Sequence, residues 1–296
     1  MFLAIILNVI INVILMPNVN NFRSLEIHPR YINSKYIVDV GEYCWNFDPG
    51  HQRADGKIEL YALVIGIEKY KNSSWNLDYA EDDAIAWNSY LKNLGYNVTL
   101  LRNEEATAEN IMKALEKVLS WEDEDDYLVF VYSGHGIYNS STKRSAIVSY
   151  DLYAITSALL AEIFVAWLDC SHFFMFFDAC YIGAMSEIAE YRSGVYIAMA
   201  SDISHKSYES KNFSHGVFTY YFLEVALIEH GIKVLQEAFD YAKHMIETEW
   251  NKYYPGRAMY PTEADSYLEK MYLVPTNEES ANPILPYGTT SPILPY

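Results

Sequence analysis

The sequence predicts an α/β fold, a three-layer sandwich in which a mostly parallel sheet carries helices on both faces. Two observations lead to this prediction. Short, continuous apolar runs alternate along the chain with longer stretches whose apolar residues recur at helical spacing. Continuous apolar runs are typical of strands that are buried on both faces. The alternation of strand and helix then favours parallel strands joined by helical crossovers.

The predicted elements follow one another without long gaps. Five apolar runs are predicted strands, at residues 59–67, 97–101, 127–133, 173–177 and 195–200. Five amphipathic stretches are predicted helices, at residues 79–94, 107–119, 155–168, 216–229 and 232–252. Gly95 follows the first helix as a C-cap residue does, and Thr107 opens the second as an N-cap residue. In such sheets functional side chains collect just past the carboxyl ends of the strands, so those ends are where a site is expected.

Composition and charge narrow the class of protein. The 296 residues are 51% hydrophobic and 20% charged, which is typical of a globular chain rather than a disordered one. Lysine and arginine number 21 against 39 aspartates and glutamates, a formal net charge of −18. This balance argues against a nucleic-acid binder, which needs clustered basic side chains, and is compatible with a cationic substrate. Three cysteines are too few for a disulfide-stabilised scaffold.

The two ends of the chain differ from its middle. Residues 2–16 form an apolar run with the length of a signal-peptide core, so residues 1–22 are predicted to be an export signal or a membrane-proximal anchor. The alternative is an apolar strand or helix that packs on the domain. Residues 23–56 are weakly patterned and predict a pro-segment or surface wrap. Residues 276–296 contain PILPY twice and predict an extended Pro-rich tail, which leaves residues 57–275 as the main domain.

Two short motifs stand at the ends of predicted strands. The strand at 127–133 runs into the sequence SGHG, which places His135 between two glycines directly after a buried strand. The next strand runs into DAC, which ends at Cys180. If these strands are neighbours, the imidazole and the thiol meet at one edge of the sheet. A cysteine becomes an effective nucleophile when a base such as an imidazole can take its proton.

Other uses of these residue types fit the sequence less well. A cysteine at a strand end is often a small buried hydrophobe, and Cys44 and Cys170 are interpreted in that way. Zinc sites use short local pairs such as CxxC or HExxH, and neither pair is present. No glycine-rich phosphate loop opens either of the first two helices. The acidic run at 122–126 lacks the ligand spacing of a calcium loop and predicts a solvated turn, so calcium is not favoured as a cofactor.

The chain resembles the caspase-like clan of cysteine peptidases, which includes caspases, metacaspases, legumains and clostripain-type enzymes. The residues that carry the resemblance are YSGHG at 132–136 and FFDACYIG at 176–183, with support from YALVIGIEKY at 61–70 and GVFTYYFLEVAL at 216–227. The resemblance covers roughly residues 57–272 and implies the caspase-like form of the predicted sheet. Ile182 stands where many relatives carry serine.

The resemblance also implies roles for individual residues. Cys180 matches the nucleophile and His135 the general base, which later acts as an acid. Gly136 matches the residue whose main-chain N–H helps to form the oxyanion hole together with that of the cysteine. Two positioned donors of this kind contribute about 3 kcal/mol each in related acyl-transfer chemistry.

Substrate choice is implied by two aspartates. In the clan, the residue two positions before the cysteine lines the S1 pocket, and here that residue is Asp178. A carboxylate there predicts Arg or Lys at P1 and rejection of Asp. The alternative is a structural carboxylate bonded to loop amides. Asp202 follows the fifth strand and is expected to be a second acid beside S1, or else a turn or helix-cap aspartate.

Taken together, the sequence predicts a cysteine endopeptidase that cleaves peptides or proteins after Arg or Lys through a Cys180–His135 dyad. A transpeptidase or transamidase of the legumain type would use the same dyad, and a non-catalytic caspase-like binding module is a further alternative. Peptide substrates are the expected partners, with no nucleic acid and with membrane proximity through residues 2–16. We expect a secreted or cell-surface protein, and otherwise a cytoplasmic one.

Overall fold

The computed structural model describes residues 23–25, 36–39 and 44–276 of the chain. The predicted export signal or anchor at residues 1–22 lies outside this range, as do residues 277–296 of the predicted tail. None of the described helices combines the length and apolar character that a bilayer-spanning helix requires.

The described residues form fourteen strands. They are β1 (Arg23–Leu25), β2 (Tyr36–Asp39), β3 (Cys44–Phe47), β4 (Leu60–Gly66), β5 (Asn97–Arg102), β6 (Tyr127–Ser133), β7 (Gly136–Asn139), β8 (Arg144–Val148), β9 (Tyr153–Thr156), β10 (His172–Asp178), β11 (Val195–Met199), β12 (Glu209–Ser210), β13 (His215–Gly216) and β14 (Thr262–Asp265). Six of them build the central sheet in the spatial order β14-β11-β10-β6-β4-β5. Five of these six run parallel, and β14 pairs antiparallel with β11 at one edge. The predicted mostly parallel sheet is therefore confirmed.

Seven helices accompany the strands in the described part of the chain. They are α1 (Ala80–Asn93), α2 (Ala108–Leu119), α3 (Ser157–Trp167), α4 (Glu187–Tyr191), α5 (Val217–Thr219, continued by π-helical turns at Tyr220–Glu229), α6 (Leu235–Met245, continued by π-helical turns at Ile246–Trp250) and α7 (Asn251–Tyr253). Apolar residues of α2, α3 and α4 are buried against one face of the sheet, and those of α1, α5 and α6 against the other. Alternate strand residues feed these two cores, which confirms the three layers.

A second, smaller sheet was not predicted as such. Strands β7, β8 and β9 form antiparallel hairpins, and β1 adds to β9 in parallel. The prediction of helix from residue 155 is wrong by two residues, because β9 continues to Thr156. The Thr156 hydroxyl accepts a hydrogen bond from the Leu159 N–H at 3.2 Å, so the helix begins only after this cap.

Helix α1 packs unusually close to the sheet at Gly66. A Cβ at Gly66 would lie 2.4 Å from the Ala84 Cβ and 2.5 Å from the Ala80 carbonyl oxygen. Only a glycine at the end of β4 lets the first turns of α1 approach in this way. The approach carries Asp83, on the buried side of α1, to the carboxyl ends of the strands.

Candidate active site

His135 is held immediately after the end of β6. Gly134 has a φ of +157°, and a Cβ there would lie 2.7 Å from the Tyr132 hydroxyl and 2.8 Å from the Tyr70 hydroxyl. A glycine is therefore required before the histidine. The main-chain N–H of His135 donates to the Tyr70 hydroxyl at 2.8 Å, and its carbonyl accepts from the Tyr132 hydroxyl at 2.8 Å. These two tyrosines fix the backbone on both sides of the imidazole.

The His135 ring is oriented by the loop that follows β4. Its Nε2 lies 2.7 Å from the main-chain oxygen of Trp75, and the Trp75 ring meets the imidazole edge-on with centroids 5.3 Å apart. A carbonyl oxygen can only accept, so in the neutral ring Nε2 carries the proton and Nδ1 is the acceptor. Burial lowers the pKa of His135 below its ordinary value, while the bond to Trp75 acts in the opposite direction. The ring is consequently a neutral base at neutral pH.

Cys180 follows β10, the parallel neighbour of β6. Asp178 pairs in register with Ser133, so the two motifs end at the same level of the sheet. The half-buried Cys180 thiol donates to the main-chain oxygen of Ser207 with a separation of 3.5 Å. Burial raises the pKa of this thiol to about 11, whereas Ser207 and the charge of Lys206 act to lower it. At neutral pH the Cys180 side chain is therefore a thiol and not a thiolate.

The histidine and the cysteine line one cleft, as the neighbouring strands require. The cleft has a volume of about 160 Å³. Its walls include Ser133, His135, Asp178, Cys180, Ser207 and Glu209. Residues 206–209 form one side, so the loop after β11 encloses the thiol. The arrangement can carry out nucleophilic attack by sulfur with proton transfer to an imidazole.

Gly136 lies against the main chain of Cys180. A Cβ at Gly136 would lie 2.2 Å from the Cys180 carbonyl oxygen. The His135 carbonyl accepts a hydrogen bond from the Val148 N–H at 3.1 Å, so these two residues form a hydrogen-bonded pair of the antiparallel ladder. Because such pairs alternate with non-hydrogen-bonded ones, the next pair, Gly136 and Ile147, is not hydrogen-bonded. The Gly136 N–H consequently points away from β8.

Asp178 is buried in the floor of the cleft, with 5% of its surface exposed. Its Oδ1 accepts from the Ser207 hydroxyl, and its Oδ2 accepts from both the N–H and the hydroxyl of Thr219, each at 2.9 Å. The pKa of Asp178 is raised to about 7, chiefly by burial and also by the charge of Asp83. The carboxylate has hydrogen-bonded partners and still reaches the cleft, so both sequence-based interpretations remain compatible with its position.

Asp83 is a site residue that the sequence analysis missed. This fully buried carboxylate accepts from the Ser133 hydroxyl at 2.7 Å and from the Gly216 N–H at 3.1 Å. A Cβ at Gly216 would lie 2.2 Å from Asp178 Oδ2 and 2.9 Å from Asp83 Oδ2, so the two carboxylates meet on one side of that glycine. The sequence contains a signal for this burial, because position 83 falls on the apolar stripe of α1. The acidic residues beside it instead suggested an ordinary acidic helix start.

Asp202 occupies a turn of its own. Its Oδ1 accepts from the N–H groups of Ser204 and His205 at 2.6 and 2.9 Å, and the His205 Nδ1 lies 2.8 Å from it. Asp202 is not among the described residues that line the cleft. The structure therefore does not bring it together with Asp178, and its role as a second acid stays a prediction.

The expectation of a solvated acidic turn at residues 122–126 is wrong. Glu122 and Asp126 are almost fully buried, and their carboxylates accept main-chain N–H groups from Asp169, Cys170, Glu59 and Asp123. These bonds offset part of the loss of water. A pattern of charges along the sequence does not reveal them.

In the described range, one group of acidic side chains lies close enough together to hold a metal ion. Oxygens of Asp123, Asp125 and Asp126 lie within 4.8 Å of one another. The group lies before the start of β6, whereas His135 follows its end. Much of its oxygen capacity is used by N–H groups of the chain, including that of Asp55.

Comparisons with known proteins bear on the family and the fold of the chain. The sequence model of the caspase domain, a cysteine peptidase family, matches residues 59–272. A search of curated proteins gave no match. Among solved structures, the chain is similar to protein GSU0716 from Geobacter sulfurreducens, with 15% sequence identity and a TM-score of 0.53 over 74% of this chain and 96% of that one. At this identity the structural likeness concerns the fold alone. The family resemblance predicted from the two motifs is thus confirmed, and the chain belongs to the caspase-domain family of cysteine peptidases.

Proposed function

We propose that the chain is a cysteine endopeptidase that cleaves peptide bonds after arginine or lysine, with Cys180 as nucleophile and His135 as general base. The observation that carries the proposal is the pair of buried carboxylates, Asp83 and Asp178, beneath the cleft that contains the thiol and the imidazole. A cationic P1 side chain is the natural complement of two such carboxylates, because a charge-assisted contact forms where water is excluded.

The proposed reaction begins with the neutral pair. The Cys180 sulfur attacks the scissile carbonyl carbon while His135 Nδ1 takes the thiol proton. Because the pKa of the thiol is raised and that of the imidazole is lowered, this transfer is coupled to attack rather than completed beforehand. The Gly136 N–H, which points away from β8, is a candidate donor to the developing oxyanion, together with the N–H of Cys180.

Collapse of the tetrahedral intermediate breaks the C–N bond. His135 gives its proton to the leaving amine, and the acyl group remains as a thioester on Cys180. Water then attacks the thioester with His135 again as base. The carboxylic acid leaves, and the sulfur regains its proton from the imidazolium. Throughout the cycle, the Trp75 carbonyl holds the imidazole through Nε2, which keeps Nδ1 available for proton transfer.

The test is a panel of acyl-aminocoumarin peptides that differ only at P1, assayed with the wild-type chain and with Cys180→Ala. Release of fluorophore from Arg and Lys substrates by the wild-type chain alone supports the proposal. Preference for Asp or Asn at P1 contradicts the assignment of the acidic pocket. Equal release by Cys180→Ala contradicts the assignment of the nucleophile.

A further inference from the structure

In the described part of the chain, His215 is the imidazole that contacts the acidic pair. It lies in β13, and its Nδ1 is 2.8 Å from Asp83 Oδ1. The His215 side chain is 16% exposed, and that of Asp83 is fully buried. The other donors to the pair, Ser133, Ser207, Thr219 and the Gly216 N–H, are neutral.

Two buried carboxylates that face the same glycine repel each other. Neutral donors stabilise each carboxylate but leave the repulsion between the two charges in place. A protonated imidazole in contact with Asp83 offsets one of them. Asp178, which meets Asp83 on the same side of Gly216, then loses its proton with one uncompensated charge fewer beside it.

We propose that protonated His215 is a positioning residue for substrate choice: it offsets the charge of Asp83, favours the ionised form of Asp178 and so sets the preference for a P1 cation. This inference rests on the proposed function of the cleft as a peptidase site for basic P1 residues. His215 acts through Asp83 and does not itself line the cleft.

The charged groups around His215 all favour its protonated form. Glu224, in the helical stretch that continues α5, places Oε1 3.9 Å from His215 Nε2, and Asp82 faces it from α1. Burial acts to lower the pKa of His215, but the bond to Asp83 and the charges of Asp83, Glu224 and Asp82 raise it above its ordinary value. From β12, Glu209 adds a further acidic group near Asp83.

Two further groups lie in the cleft near Asp178. One is the Cys180 thiol, and the other is Lys206, which lies near that thiol in the loop after β11. The thiol is uncharged at neutral pH, because burial raises its pKa to about 11. The thiol therefore contributes little to the charge of the pocket compared with His215, which contacts Asp83.

The sign of the effect follows from the charges. Without the cation at position 215, Asp178 keeps its proton up to a higher pH. A cationic P1 residue must displace that proton in order to bind. As pH falls, activity on such substrates is therefore lost at a higher pH without the cation than with it. A contacting opposite charge lowers the pKa of a carboxyl group by about 1 to 3 units, so we expect a shift of roughly one pH unit.

The test compares the pH dependence of kcat/KM for wild type and His215→Asn on two substrates that differ at P1, arginine and its uncharged analogue citrulline. Asparagine places a neutral donor near the position of Nδ1. His51→Asn is the matched control, because His51 Nδ1 also lies 2.8 Å from an aspartate, Asp169, but away from the cleft. For His215→Asn, we expect the acid limb of the kcat/KM profile to move to higher pH with the arginine substrate only. For His51→Asn, we expect the acid limb to coincide with that of the wild type.

An equal shift for both substrates, or no shift, overturns the inference while the preference of the wild type for arginine still stands. If the wild type does not discriminate arginine from citrulline, the proposed P1 preference itself fails. An NMR titration of His215 in Cys180→Ala measures the midpoint of protonation directly. This measurement does not depend on whether a His215 variant folds. A midpoint above about 6.5 is expected, and a midpoint below it overturns the inference.

Discussion

The Nε2 of His135 lies 2.7 Å from the main-chain oxygen of Trp75. This contact joins the loop after β4 to the end of β6 and fixes which ring nitrogen can accept a proton. The Trp75 ring also meets the imidazole edge-on, so the main chain and the side chain of one residue together orient the imidazole.

Loss of either member of the dyad is expected to remove activity. Cys180→Ala deletes the nucleophile and His135→Ala deletes its base, so kcat/KM should fall by at least about a thousandfold in each. The measurement is hydrolysis of the best arginine substrate, with circular dichroism to confirm folding. Cys170→Ser is the control, because Cys170 is fully buried in the core and should affect stability alone. Activity within tenfold of wild type in Cys180→Ala contradicts the mechanism.

Gly136→Ala is expected to disrupt the cysteine loop. The new Cβ would lie 2.2 Å from the Cys180 carbonyl oxygen, and that oxygen belongs to the main chain, so the loop has to move. A shift of about 1 Å at the reacting atoms typically costs a hundredfold in rate. We expect kcat to fall by about that factor with KM much less affected. Gly256→Ala is the matched control, because a Cβ there meets nothing within 4 Å. Equal kcat values in the two variants contradict this prediction.

The sheet and the placement of His135 and Cys180 in one cleft could be predicted, because the signals for both are local in the sequence. Continuous apolar runs mark the buried strands, and the side chains directly after two neighbouring runs must lie at one edge. The hairpins from β7 to β9 are short and lack a strong alternation, so their pairing was not visible.

The remaining site residues depend on tertiary contacts. Trp75 contributes a carbonyl, which every residue has, and therefore carries no signature in the sequence. Asp83 resembled an ordinary acidic residue at a helix start. Its role became visible only when Gly66 and Gly216 placed it beside Ser133 and Asp178.

Stability is expected to fall as pH rises through the range set by Glu122. Burial raises the pKa of this carboxyl group from 4.5 to about 8, so the folded state holds a proton that the unfolded state has lost. Stability from this group is complete below about 4.5 and is lost progressively as pH rises to about 8, by about 1.4 kcal/mol per unit. Urea unfolding at several pH values should show a flatter dependence for Glu122→Gln. Parallel curves for the two proteins contradict the assignment.

Activity is expected to be independent of calcium. The candidate oxygens of Asp123, Asp125 and Asp126 lie before β6, whose seven residues separate them from the catalytic end by roughly 20 Å. Full kcat/KM in excess chelator is the expected result. An activity that chelator removes, and that Asp125→Asn also removes, contradicts it.

Asp178→Asn tests the acidic pocket directly. Asparagine retains an oxygen for the two Thr219 donors and presents an amide to the Ser207 hydroxyl, so the floor of the cleft keeps its hydrogen bonds while the charge is lost. Removing one partner of a buried charge pair costs about 2–5 kcal/mol, so kcat/KM on arginine substrates should fall roughly thirtyfold or more. Citrulline substrates should change little, which separates the charge of the pocket from damage to the fold. Asp202→Asn is the companion variant and should have a smaller effect, because Asp202 bonds its own turn outside the cleft. An equal loss on arginine and citrulline substrates in Asp178→Asn would mean that this carboxylate supports the loop after β11 rather than selecting the P1 residue.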